Sequence, residues 1–278
     1  MATTPAVHPV DPPPPREITD LARLCLEGDL EHDDINLAFQ SKLQAYSSQG
    51  HQISLLWPVL FAAVQYARPR IVTLLLSQGL QLQTMYVEQA VSTGSKEVFQ
   101  AFLDNGWNVN EPLYSFRPPV LANFVHDHDM TVWFLDRGAD PDARCYIDLT
   151  PLSFAARYAS IPTFRVLLDR GSANKGQLAH HAVERNTDVI TVLDILASRG
   201  ALLDELQYAT DLQSWNHESF KGLGTPLHRA TELGRLEIVR YLLDKQANPR
   251  ARDSKNRTPI DIADHLGFED IANLLIMY

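Results

Sequence analysis

Four adjacent residues, His126, Asp127, His128 and Asp129, carry the donor types that hold zinc. A zinc site needs side chains that converge on one point, and neighbours along a chain point apart, so the four read as a polar turn between helices. The doublet His180 and His181 is not followed by the H-E-x-x-H spacing that sets two imidazoles on one helix face with a general base between them. One of its rings is expected to pack and the other to meet solvent. His228 sits beside a helix cap, a structural position for an imidazole. No G-x-S-x-G elbow presents a nucleophile and no G-x-x-x-x-G-K loop cradles phosphate, so acyl transfer and nucleotide hydrolysis have no starting point. No catalytic residue, metal or cofactor is expected.

The elements that position these residues follow from composition and period. A formal charge of -10, from 34 acidic against 24 Lys plus Arg residues, opposes a broad phosphate-binding face, and no direct nucleic-acid contact is expected. The basic run Lys245, Arg250, Arg252, Lys255 and Arg257 stands out against that background and suits an acidic partner or a nuclear address. Cys25 and Cys145 are too few for a disulfide framework, and no apolar run approaches the roughly 18 residues of a membrane span. No signal-peptide core opens the chain, so a reducing interior, nucleus or cytoplasm, is expected. Residues 1–17, with prolines at 5, 9 and 12–15, read as a disordered tail.

Internal repetition organises the rest. Thr225, Pro226, Ala230, Gly234, Ile238 and Leu242 match Thr258, Pro259, Ala263, Gly267, Ile271 and Leu275, each pair 33 residues apart. Thr caps a helix, and Pro fits its first position, where the missing amide costs nothing. Ala lets the next helix approach, Gly supplies the turn, and Ile238, Val239, Leu242 and Leu243 form an apolar stripe that one helix pair cannot hide. Thr150, Pro151, Leu152, Ala155, Leu167, Leu168 and Gly171 repeat the template, and Ala122, Phe134, Leu135 and residues 138–143 precede it by 33 residues. Weaker copies lie around Ala90 and Gly94, around Ala63 and Gly79, and over residues 20–31, where Gly28 takes the turn slot. His180, Ala182, Leu196 and Gly200 mark a unit stretched by about two residues around Arg185 and Asp188. About eight units over residues 18–278 form a single array, interrupted at 202–223 by sequence without a clear helical period, read as an enlarged finger.

The TPLH at 225–228, the TPLS at 150–153 and the GADPDA at 138–143 resemble the ankyrin-repeat family. The resemblance implies an all-α solenoid of stacked helix-turn-helix units with short β-hairpin fingers and a concave face that binds protein. It also implies that His228 hydrogen-bonds Thr225 and the loop backbone. Ser214 and Trp215, leading through Gly222 to GTPLH, look like the finger of short fungal ankyrin-only proteins, some described as transcription co-regulators of secondary-metabolite gene clusters.

Loops on a rigid scaffold are free to present side chains, and Tyr, Trp and Arg dominate interface energetics. The expected partner-binding residues are therefore Tyr114, Phe116, Arg144, Tyr146, Tyr208, Trp215, Arg250 and Arg252, with Phe220 beside them. Trp215 and Phe220 have an alternative role, folding back over the finger's own base. Trp133 and Phe134, on a helix, are expected in the core. The function expected is a monomeric, non-catalytic adaptor for another protein such as a transcription factor. Two alternatives remain open: an enzyme or accessory component using a pocket between solenoid and finger, and an assembly scaffold or inhibitor.

Overall fold

The computed structural model describes residues 16–26 and 33–278, with side chains from Leu37 onward in the second stretch. The expected proline-rich tail lies outside them except for Arg16 and Glu17, which open the first helix. Gly28 lies outside them too. Two compact units result, one ending at Trp107 and the other spanning Asn108–Tyr278.

The first unit holds three helix pairs: α1 (Arg16–Leu26) with α2 (Asp33–Ser48), α3 (Trp57–Gln65) with α4 (Pro69–Ser77), and α5 (Thr84–Thr93) with α6 (Lys96–Asp104). First helices stack on first helices and second on second. Ala63 and Ala90 are fully buried at the contacts, where a larger side chain would hold the backbones apart.

The second unit repeats the plan. A 3-10 turn (Val120–Asn123) and α7 (His128–Leu135) precede α8 (Pro151–Tyr158) with α9 (Ile161–Arg170), then α10 (Leu178–Ala182) with α11 (Val189–Ser198). After a short helix α12 (Leu212–Glu218) come α13 (Pro226–Glu232) with α14 (Leu236–Asp244) and α15 (Pro259–Leu266) with α16 (Glu269–Ile276). Ala155, Ala182, Ala230, Ala263 and Leu242 are completely shielded from water.

Three first helices begin on one motif with three chemistries. The amide of the capping threonine donates to Ser153 Oγ in α8 (3.0 Å), His228 Nδ1 in α13 (3.1 Å) and Asp261 Oδ2 in α15 (2.8 Å). Each closes a capping box, which satisfies amides that a helix start leaves unpaired. On the second helices, Arg170 pairs with Asp136, Arg199 with Asp169 and Lys245 with Asp194, linking successive repeats through exposed ion pairs of about 0–1 kcal/mol each.

Two expectations change. The fingers contain no strand among the described residues; they are turns, with one isolated antiparallel bridge between Tyr114 and Arg117. The segment at 202–223, read as lacking helical period, contains α12 and a 3-10 turn (Ser219–Lys221). Helix α12 forms because Asp211 caps the amide of Ser214 at 2.8 Å, a local hydrogen bond that needs no apolar stripe.

Candidate functional site: the finger cleft

The finger is packed down onto the preceding loop. Arg144 forms an ion pair with Asp211, the amide of Asp148 donates to Ser214 Oγ (2.8 Å), and Gln213 Nε2 donates to the carbonyl of Tyr146 (2.6 Å). Burial alone would raise the Asp211 carboxyl, but hydrogen bonds from Arg144 and Ser214 outweigh it and hold the group at about 2. At its other end, Leu223 exchanges hydrogen bonds with Ser254. Gly224 closes the segment in contact with His228: a Cβ there would come within 2.5 Å of the imidazole.

The docked finger walls off a cleft of about 710 Å³ against α10 and α13. Phe116, Ile147 and Leu149 line one side, His180, His181 and Glu184 the second, His228, Arg229 and Glu232 the third, and Tyr208, His217, Glu218 and Phe220 the finger side. That volume falls in the range of ligand pockets.

Charges in and beside the cleft are used up internally. Glu184 bridges Arg157 and Arg229, Arg229 reaches Glu232 (3.1 Å), and Glu232 meets Arg257 (3.5 Å), which is held by Asp253 (2.7 Å). Lys221 neutralises Glu218. His180, His181 and His228 are neutral for a shared reason. Burial lowers His180 to about 3; burial, with Arg157 and Arg229 nearby, lowers His181 to about 4; burial also lowers His228. His228 accepts the Thr225 amide at Nδ1, so its proton sits on Nε2 and is donated to the Arg257 carbonyl (3.1 Å).

At the mouth, Phe116 and His217 stack with centroids 4.7 Å apart, and Tyr146 meets both rings edge-on. Phe116, Tyr146 and Phe220 keep 45%, 49% and 69% of their surface in solvent.

A family model for ankyrin repeats, in three copies, matches residues 179–278 of this chain. The chain carries ankyrin repeats. Among curated proteins it is similar to Rabankyrin-5 of Mus musculus, 28% identical over 162 residues, and of Homo sapiens, 27% over 164. Each match covers 55% of this chain and 13% of the relative, so the chain spans about an eighth of the length of those relatives. A putative ankyrin repeat protein of Fowlpox virus is 40% identical over 60 residues, covering 20% of this chain and 41% of its own. Ankyrin repeats bind other proteins and are in general non-catalytic. No helix among the described residues is long and apolar enough to cross a membrane.

Within the ankyrin stack, the sequence-predicted residues scatter. Tyr114, Phe116, Arg144 and Tyr146 lie exposed in finger turns, Trp215 is half-buried on α12, and Phe220 points outward instead of covering the finger base. Tyr208, expected on the surface, is 4% exposed, because its backbone is tied to the Gln177 side chain (3.0 Å) and turns inward. Arg250 and Arg252 are exposed in the last finger and do not line the cleft. The basic run is not one open patch: Lys245 pairs with Asp194, Arg257 with Asp253, and Arg252 donates to the Asn256 carbonyl. His126 to Asp129 form a helix start, where Asp127 caps Met130 and His128 Nδ1 lies 3.1 Å from Thr163 Oγ1. Phe134 is fully buried, while Trp133 is half-buried under the Arg137 guanidinium, 3.9 Å away. Of the doublet in which one ring was expected to pack and the other to meet solvent, His180 is buried and His181 is half-buried on the cleft wall, with an Nε2 that is buried and without a partner among the described residues. Sequence reasoning passed over Glu184 and Arg229; charged residues two positions after the buried alanines, Arg157 after Ala155, Glu184 after Ala182 and Glu232 after Ala230, were the signal that was available.

Proposed function

We propose that this chain is a non-catalytic adaptor that captures another protein on the finger side of its second unit. The observation that carries the reading is the exposed rim of Phe116, Tyr146 and Phe220, held on turns that Arg144, Gln213 and Ser214 fix in place. Rigid aromatic side chains lose little entropy on docking and supply large contact area, the combination found at interface hot spots. Tyr114, Trp215, Arg250 and Arg252 extend the proposed contact surface from neighbouring turns and α12. The charged and imidazole groups behind the rim favour binding over catalysis: Glu184 is held by two arginines, and His180 and His228 are committed to the Gly224 and Arg257 carbonyls.

The test is affinity capture from the native source with wild-type protein beside a Phe116→Ala, Tyr146→Ala double variant. Both residues are exposed, so the variant is expected to keep its fold and lose the partner. Wild-type recovery removes the rim from the interface. The finer setting, a monomer within transcriptional control in nucleus or cytoplasm, is proposed on the resemblance of the Ser214 and Trp215 finger to fungal ankyrin-only proteins. A transcription factor among the captured proteins supports it; capture of biosynthetic enzymes alone favours a scaffold or inhibitor.

A further inference from the structure

Tyr208 sits in the left-handed region of backbone space, at φ +61°, which a bulky side chain rarely adopts. Such strain persists only where the surroundings over-determine it, and it concentrates at ligand sites. Here the Tyr208 amide is held by Gln177, its carbonyl accepts the Asp211 amide, and the neighbouring Gln207 amide donates to the Gly224 carbonyl (2.9 Å). The result is a tyrosine almost wholly buried on the cleft wall, with its phenol oxygen alone open to the water of the cleft. A tyrosine hydroxyl on an otherwise apolar ring is a donor poised for a partner that enters from the cleft. On the same wall, His181 keeps its own unpartnered nitrogen. An open hydroxyl and a leftover ring nitrogen on one cleft wall are groups that a ligand entering the cleft would meet.

The surroundings specify its charge. Burial raises the Tyr208 phenol, and the carboxylates of Glu218, Asp148 and Asp211 push it further, so it remains a neutral donor. Those carboxylates also repel an anion. They are already engaged, by Lys221, by the Gly176 and Gln177 nitrogens and by Arg144, so they offer a cation little. The flanking surfaces are Phe116 and His217, stacked on each other, and Phe220. We propose that the cleft behind Tyr208 is a binding site for an uncharged, ring-bearing ligand with an acceptor oxygen that takes the Tyr208 hydroxyl. The same chemistry is available from a free aromatic molecule and from a ring on a partner chain. The site shares Phe116 and Phe220 with the proposed rim, and Tyr208 is the residue that belongs to the cleft alone.

Prodan, an uncharged naphthyl ketone whose emission moves to the blue when it leaves water, is the probe, titrated into the full chain beside the anionic dye anilinonaphthalene sulfonate. Saturable blue-shifted emission is expected with Prodan and weaker binding with the sulfonate. Tyr208→Phe removes one neutral hydrogen bond and is expected to weaken Prodan about three- to tenfold, with an unchanged melting temperature because no protein partner is lost. Phe116→Ala, at the exposed mouth, is expected to weaken it as well. Naphthol and N-acetyl tyrosinamide then compete: displacement by naphthol alone assigns a free ligand, and displacement by the tyrosine amide assigns a ring offered by another chain. No saturable binding, tighter binding of the sulfonate, equal affinity in Tyr208→Phe, or displacement by neither competitor overturns the proposal. Tyr208→Phe that weakens Prodan while keeping wild-type partner capture supports the cleft as a site of its own, so the two readings fail separately.

Discussion

Arg185 is the perturbation that separates this stack from a simple 33-residue repeat. It lies in the connection between α10 and α11, is 4% exposed, and reaches back into the previous repeat. Nη1 donates to the carbonyls of Ala155 (3.3 Å) and Ala156 (3.0 Å), Nη2 to Ala159 (2.7 Å), and Nε to Thr187 (3.0 Å). Arg235 of the next repeat in turn donates to the Arg185 carbonyl. Replacing Arg185 by Met keeps the apolar stem and removes the fork. The Ala155 carbonyl retains the Ala159 amide, but the carbonyls of Ala156 and Ala159 lose the guanidinium in buried surroundings. Each unsatisfied buried group costs about 1–3 kcal/mol. Relief from burying a guanidinium offsets part of this, leaving a loss of about 3 kcal/mol. For a chain of this size that corresponds to a fall of roughly 6–10 °C in melting temperature. Thermal and urea unfolding followed by far-ultraviolet circular dichroism read it, with Arg185→Lys as the control: one ammonium cannot span three carbonyls, so it should behave more like Met than like wild type. A Met variant within about 1 °C of wild type would show that these bonds do not couple the repeats.

Gly234→Val should destabilise by about 2–4 kcal/mol in the same assay, because φ is +66° and a Cβ would sit 3.0 Å from Phe268 Cζ; a neutral result sinks the turn assignment. Acid should destabilise the fold well before its carboxylates titrate. His180 and His181 protonate in the folded state only near about 3 and about 4, against an ordinary 6.5, so stability is intact above 6.5 and falls as pH drops below it. The slope approaches ~1.4 kcal/mol per pH unit for each ring. His181→Leu should remove one ring's share of that slope between pH 6 and 4.5, and an unaltered slope would refute its burial as a neutral group.

The parts legible in the sequence were those whose causes are local. Thr-Pro pairs with Ala five residues after the Thr mark α8, α13 and α15, and Gly nine residues after it marks the last two, because capping, close approach and turning are each met within a few residues. The earlier copies faded for the same reason: α3 and α5 begin without a side-chain cap, so only their buried alanines keep the register. Helix α12 escaped because its Asp211 cap is followed by no apolar stripe, and the bonds that dock it come from Arg144 and Asp148, more than sixty residues away. The cleft was foreseen as a place between finger and solenoid, but not its furnishing. The left-handed Tyr208 and the partnerless His181 ring arise from tertiary constraints that no spacing rule encodes.

Ser153, His228 and Asp261 do one job with a hydroxyl, an imidazole and a carboxylate, and the choice leaves each repeat with its own response to acid. A protonated imidazole can no longer receive the threonine amide, whereas a hydroxyl is indifferent to pH. Sourness tolerance is thus written one repeat at a time, at a single interchangeable position. Moving histidine into the Ser153 slot, or serine into that of His228, would carry the acid-sensitive joint from one repeat to another.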